Sequence, residues 1–380
     1  MNPLLADIPP SIIRDLNSRK RPDSIDLGLG EPTLRPGLAP FEAATQWVAE
    51  HGCPYSPNPG FNELRAAIAR HYAYPGMDQA ANVCVTVGSQ EALFVALKAL
   101  LDPSRDEALI VGPSYPLYPK LCQMEGVPVR EVILDPYQGF RPDAKRVISS
   151  LSPRTRVVVL ASPSNPTGRV WPREELEVLA QALSEREEPV YVISDEVYRE
   201  LYFGDAPPAS MAEVYPRTVV VNSLSKSNAL TGLRLGWFMA PAEVMPALLK
   251  VHQFAVSCAS TFSQRVGLAI FQQDLLGEHR SHYAAQREFL VEQLDREGLG
   301  AVMPEGGFYA MIRLTGAWSG DSTQAAFALL ERKNVVAIPG AAFGAEGWLR
   351  ISWVAPRETL ATGLSRIHEF LQLAPKPPKK

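Results

Sequence analysis

An α/β protein built on a mainly parallel sheet is the fold class that this sequence predicts, and three observations carry it. Between Val83 and Met239, short β-branched runs alternate with segments whose apolar residues recur at helical spacing, the pattern of consecutive strand-helix-strand units. The chain has 380 residues, more than one hydrophobic core usually serves, so two lobes are expected. From about Glu278 the alternation gives way to a long polar amphipathic stretch followed by mixed short elements, which reads as a smaller α+β domain.

Taken in order, residues 1–40 read as an N-terminal arm together with a segment of the smaller domain. Pro9, Pro10, Pro22, Pro32 and Pro36 make an extended arm the expectation rather than a helix-rich segment, because proline fixes φ and removes a donor. Residues 41–275 read as the large domain, with candidate strands VCVTV (Val83–Val87), ALIVG (Ala108–Gly112), RVVVLA (Arg156–Ala161), VYVIS (Val190–Ser194), TVVVN (Thr218–Asn222) and LGWFM (Leu235–Met239). EALFVALKALL and REELEVLAQALSE lie between them with the spacing of helices that cover a sheet. Residues 276–380 read as the C-terminal domain, opened by a helix over HRSHYAAQREFLVEQLDRE and closed by a solvated tail, PKPPKK.

Composition narrows the function. Hydrophobic residues make up 46% and charged residues 21% of the chain, and the net charge is -4. No basic footprint exists for neutralising phosphates, so a nucleic-acid partner is not expected. Arg14, Arg19, Lys20 and Arg21 are not followed by an apolar core and a cleavage site, and no run reaches the length of a membrane span, so a cytoplasmic location is the expectation. Cys53, Cys84, Cys122 and Cys258 lie far apart with no metal-ligand spacing, which predicts buried free thiols and no metal site.

Ligands of open α/β sheets bind beyond the carboxyl ends of the strands, and here those positions are polar. Gly88, Ser89 and Gln90 follow the first candidate strand and open a helix. Asn165 stands in SPSNPTG, Asp195 and Tyr198 follow VYVIS, and Ser223, Ser225 and Lys226 follow TVVVN, with Arg234 eight residues after the lysine. Taken singly, each has a plain structural explanation as turn, cap or solvated residue. Together they meet the needs of pyridoxal phosphate (PLP), which requires an amine for its aldehyde, an acid for its ring nitrogen and donors for a dianionic phosphate. Gly88 and Ser89 would offer a helix N-terminus to the phosphate, with Ser223, Ser225 and Arg234 completing the cup. Asp195 would keep the ring nitrogen protonated, while Tyr198 and Asn165 would hydrogen-bond the ring hydroxyl.

The strings IDLGLGEPT, YSPNPGFNELR, VTVGSQEAL, GPSYPLY, ASPSNPTG, SDEVYRELYF, NSLSKSNALTGLRLGW, PEGGFYA, AIPGAAFG and WLRIS make the chain resemble the class I and II, fold-type I PLP-dependent aminotransferases over nearly its whole length. The resemblance implies that Lys226 is the Schiff-base lysine and later the proton carrier, and that Asp195 is the pyridinium partner. Tyr198 and Asn165 are implied as ring-hydroxyl partners, and Arg234 with Ser223 as phosphate binders. It further implies that Tyr115 stacks on the cofactor ring and that Tyr55 reaches the phosphate of a neighbouring subunit in a homodimer with shared sites. Arg350 is implied to clamp the substrate α-carboxylate, and Gly30 to let backbone approach the substrate. The implied reaction moves the amino group of an L-amino acid to a 2-oxo acid with ping-pong kinetics.

Dicarboxylate-specific relatives carry an extra cation near the segment that here reads SCASTFSQ or at the position of Gln90. This chain has His252, Gln253 and Phe254 in the first place and an amide in the second, so a neutral or aromatic donor is expected over aspartate. Arg35 offers a cation from the arm or, more plainly, a solvated loop residue. Asn228 and Ala229, where the family pattern loosens, either widen the pocket or do nothing, and Phe308 and Tyr309 are wall or plain core. A PLP-dependent lyase, cyclising synthase or oxidase on the same scaffold shares the first chemical step, and no motif excludes it. A PLP-sensing regulator is disfavoured because LGLGEP is complete by residue 32, and no dinucleotide or P-loop fingerprint occurs.

Overall fold

A computed structural model describes residues 2–6 and 8–373; the predicted tail 375–380 lies outside them. Thirteen strands occur among the described residues, in three sheets. A two-stranded pair joins β1 (Ile25–Asp26) to β11 (Val335–Val336) in parallel. The largest sheet has seven strands: β2 (Val83–Thr86), β3 (Glu107–Gly112), β4 (Val129–Ile133), β5 (Thr155–Ala161), β6 (Tyr191–Asp195), β7 (Thr218–Ser223) and β8 (Gly236–Met239). The third, of four strands, contains β9 (Ala301–Val302), β10 (Tyr309–Arg313), β12 (Ile338–Pro339) and β13 (Trp348–Ser352).

The seven strands lie in the order β2-β8-β7-β6-β5-β3-β4. Only β8 runs against its neighbours, so six strands present their carboxyl ends at the same edge where β8 begins. The interior strands are continuous β-branched runs because they are covered on both faces: every residue of β7 is buried. Helices Ser89–Leu100 and Arg173–Ser184 pack on this sheet where the sequence predicts them.

β4 is a strand that the hydrophobic pattern does not announce. It forms the edge beside β3, and its sequence VREVI exposes Arg130 and Glu131, as edge strands do. The N-terminal segment also departs from the expected extended arm. Residues Ile12–Arg19 form a helix capped by the Ser11 side chain, which accepts from Arg14 N. The prolines stand outside it, at 9 and 10 before the cap and at 22 after the last turn, so the proline-free window is free to coil. A shorter helix, Pro3–Ala6, lies against helix Leu117–Met124, while Leu16 is buried in the core beneath the four-stranded sheet. The expected buried thiols are found at Cys84 and Cys122, but Cys258 is partly buried and Cys53 is exposed, because it lies in the open segment after helix Ala39–His51.

Helix Arg280–Arg296 opens the C-terminal region as expected. It packs with helix Arg357–Leu371 over the four-stranded sheet. Among the described residues no helix is long and apolar enough to cross a membrane, and no cluster of His, Cys, Asp or Glu could hold a metal ion.

Candidate active site

The site grows from the carboxyl edge of the seven-stranded sheet. Asp195 ends β6, and its carboxylate is buried. Oδ2 accepts from the Tyr118 hydroxyl at 2.6 Å, and Oδ1 accepts from Val197 N at 3.3 Å. Burial raises the Asp195 pKa to about 6, the Tyr118 and Val197 donors oppose that shift, Glu196 adds to it and Lys226 works against it. Tyr118 belongs to helix Leu117–Met124, which follows β3. Its ring meets that of Tyr115 edge-on, with centroids 5.8 Å apart.

Ser223 ends β7, and its hydroxyl caps the short helix Leu224–Ser227 by accepting from Ser225 N. That turn carries Lys226, whose Nζ donates to the Gly30 carbonyl at 2.7 Å. The Ser225 hydroxyl is buried without a partner, a costly state that a ligand acceptor or donor would relieve. At the far side of the edge, Gly88 adopts φ 77° as the N-cap of helix Ser89–Leu100. A Cβ there would meet Arg234 Nη2 at 2.5 Å, and one on Gly236 would meet Ser89 N at 2.6 Å. Glycines therefore let a guanidinium and a bare helix N-terminus come together, an arrangement suited to a dianion.

A second arginine arrives from the four-stranded sheet. Arg350 sits in the middle of β13, opposite Met311 of β10 and Ile338 of β12, and is only 4% exposed. Nη1 donates to Asn165 Oδ1 at 3.1 Å and Nη2 donates to the Gly28 carbonyl. Nε has no partner. The guanidinium lies 4.3 Å from the Tyr309 ring centroid and 4.8 Å from that of Phe343. Burial pulls its pKa down, and the neighbouring tyrosines Tyr309, Tyr198 and Tyr115 act in the opposite direction. The Tyr198 hydroxyl donates to that of Tyr309 at 3.3 Å. Gly30 faces the same phenol: a Cβ on it would fall 1.6 Å from the Tyr309 oxygen.

The fold thus gathers Gly30, Tyr115, Asn165, Asp195, Tyr198, Lys226 and Arg350 into one linked set, and Gly88, Ser89, Ser223, Ser225 and Arg234 border it at the strand ends. Gln90 is exposed on the helix, and Tyr55 is 89% exposed; neither takes part in the buried contacts of this chain. Phe308 and Tyr309 belong both to the core and to the site: the Phe308 ring centroid lies 5.7 Å from Lys226 Nζ. Asn228 turns away from the site, accepting from the Ser227 hydroxyl and donating to the Leu275 carbonyl. His252 is fully buried between Glu91 Oε1 at 2.6 Å and the Asn58 carbonyl at 2.8 Å.

Tyr118 escaped the sequence reading. Its signal was its place in GPSYPLY, three residues after Tyr115, where a turn brings the two rings into contact. Burial raises the Tyr115 phenol, Tyr309 and Asp195 add to the shift, and Arg350 and Arg14 oppose it.

Residues 22–367 match the family model for aminotransferase class I and II. The chain belongs to that family. Its members are PLP-dependent, and this protein is a transaminase with the fold-type I architecture. It is 35% identical to the probable N-acetyl-LL-diaminopimelate aminotransferase of Bacillus subtilis (strain 168), over 98% of this chain and 95% of that one. Among solved structures, the aspartate aminotransferase from Thermus thermophilus with maleate superposes with a TM-score of 0.89 at 32% identity, covering 97% of this chain and 99% of that one. The aromatic aminotransferase from Pyrococcus horikoshii OT3 gives 0.86 at 29%, covering 95% and 98%. Aminotransferases use amino and oxo acids as substrates.

Proposed function

We propose that this aminotransferase holds pyridoxal phosphate at the gathered edge and moves the α-amino group of a neutral or aromatic L-amino acid to a 2-oxo acid. The observation that carries the reading is the meeting of Lys226 and Asp195 at one strand edge with a second, buried arginine, Arg350, facing them from the other sheet. The orphaned Ser225 hydroxyl and the glycine-lined approach of Arg234 to the helix N-terminus fit a phosphate dianion. Asp195 fits a ring nitrogen, Tyr198 and Asn165 a ring hydroxyl, and Tyr115 a ring face. When bound, the cofactor supplies an electron sink for the pair released at the substrate α-carbon.

Arg350 binds the substrate carboxylate through its planar fork, with Asn165 holding that fork in place. Lys226 would hold the cofactor, and its Nζ would take the proton from the substrate α-carbon. Tyr309 and Phe343 beside Arg350 exclude water and form an apolar wall, which supports the preference for a neutral or aromatic side chain. His252 is engaged by Glu91 and Asn58, and Gln90 is an amide, so neither is available to meet the second carboxylate of a dicarboxylate.

A second reading, a dicarboxylic donor, is favoured by the likeness to the aspartate aminotransferase from Thermus thermophilus with maleate. A donor panel with 2-oxoglutarate as acceptor separates the two. Higher kcat/KM on phenylalanine or leucine than on aspartate supports the first reading. Higher kcat/KM on aspartate supports the second. Double-reciprocal lines should be parallel; intersecting lines, or ammonia release without an acceptor, contradict transamination.

The same reading takes residues 41–275 as the cofactor-binding domain, with 1–40 and 276–380 around the smaller sheet; each sheet has apolar clusters of its own, and a further cluster joins Val158 and Leu160 of the large sheet to Met311 and Trp348 of the small one. It also takes the working unit to be a homodimer in which Tyr55 serves the neighbouring site. Exposed Tyr55 and Phe254 support this, because they flank segments tied together by the Asn58 amide donating to the Ser257 carbonyl. Sedimentation of the loaded protein tests it: a monomer would contradict shared sites. The four free cysteines support a reducing cytoplasm.

A further inference from the structure

Asp195 has to do something that its surroundings oppose. A carboxylate at the end of a buried strand is pushed toward its neutral form by desolvation, and Glu196, the next residue, pushes the same way. Glu196 gives no relief, since its own oxygens accept from Tyr74, Ser194 and Ser210. A neutral acid could not keep a pyridine nitrogen protonated.

Two hydrogen bonds hold the balance, and they are unequal. Val197 N reaches Oδ1 at 3.3 Å, whereas the Tyr118 hydroxyl reaches Oδ2 at 2.6 Å. A short bond to an ionised acceptor is the stronger kind. Tyr118 is buried, and desolvation together with Asp195 itself holds its phenol well above the ordinary tyrosine value, so it stays a donor throughout the working pH range. The groups that face the carboxylate are Tyr115 from the loop after β3 and Tyr118 from the helix that follows it, Glu196 and Tyr198 from the segment after β6, and Lys226 from the turn after β7. Of these, Tyr118 is the one whose side chain bonds the carboxylate.

We propose that Tyr118 is a positioning residue for transamination: its phenol keeps the Asp195 carboxylate ionised and oriented for the ring nitrogen of the bound cofactor. This rests on the assignment of Asp195 to that nitrogen. It also gives the segment Tyr115–Tyr118 two tasks, because Tyr115, three residues earlier, is assigned to the ring face.

The test is a carbon-13 NMR titration of the full-length chain labelled at aspartate carboxyls, free of cofactor, with the Asp195 signal assigned by its loss in Asp195→Asn. In Tyr118→Phe the Asp195 midpoint should rise by about one pH unit, a tenfold gain in proton affinity. In the loaded enzyme the cofactor should dissociate severalfold faster, and the acid limb of the kcat profile should move upward with the midpoint. If Tyr118→Phe does not fold, 3-fluorotyrosine at position 118 retains the packing and donates more strongly, so the midpoint should fall. An unmoved midpoint overturns the proposal, whatever Asp195 does in catalysis. A moved midpoint with unchanged cofactor release and an unchanged profile overturns the assignment of Asp195, and the proposal with it.

Discussion

The guanidinium of Arg350 donates to the Asn165 side chain across 3.1 Å, joining the four-stranded sheet to the loop that follows β5. Because 185 residues separate the pair in sequence, the substrate clamp exists only when the two sheets are docked. Arg350→Lys keeps the charge but loses the fork, so KM for the amino donor should rise roughly 10- to 100-fold, more than kcat falls. Asn165→Ala should raise KM as well. In the double variant the two effects should fall short of their sum, which steady-state kinetics on all four proteins would measure.

Lys226 is assigned both attachment and proton transfer. In Lys226→Ala the single-turnover rate should fall by at least about a thousandfold. Binding of the donor, followed by equilibrium dialysis, should change far less, because Arg350 is untouched.

Gly30 is held to glycine by a neighbour rather than by its own φ. A Cβ would lie 1.6 Å from the Tyr309 oxygen and 2.4 Å from Cζ, so either the phenol or the backbone carbonyl that meets Lys226 must move. Gly30→Ala should lower stability by about 1–3 kcal/mol and slow turnover. Adding Tyr309→Phe, which removes the nearest clashing atom, should restore part of the melting temperature.

Stability should respond to Asp195 with a definite sign. Its folded pKa, about 6, lies above the ordinary value of 3.8, so the folded state binds this proton more tightly than the unfolded chain does. The favourable contribution is complete below the unfolded value and is lost as pH rises through 6. Asp195→Asn should therefore raise the unfolding free energy of the cofactor-free protein at pH 8 by on the order of 2–3 kcal/mol, and its melting temperature with it, and have little effect at pH 4. Calorimetry at the two pH values measures the difference.

Much of the fold was legible because buried parallel strands must be apolar on both faces. TVVVN and RVVVLA stand out in any window, and the polar residues that follow them mark the ligand edge. The edge strand β4 was hidden by Arg130 and Glu131, which solvent tolerates there. The helix Ile12–Arg19 was hidden by the prolines on either side of it. Within the site, turn and cap residues such as Gly88, Ser223 and Lys226 were legible because each is locally unusual. Tyr118 was not, since an aromatic on a helix face reads as core until Asp195 is seen in front of it. Asn228, by contrast, drew notice as a family departure and proved to bond the Leu275 carbonyl.

The central claim is that Lys226 holds the cofactor. Reducing the loaded protein with borohydride, digesting it and mapping the products by mass spectrometry tests it directly. The reduced pyridoxal phosphate adduct should fall on the peptide containing Lys226 and vanish in Lys226→Ala. An adduct on another lysine, or none on a protein that transaminates, would contradict the account.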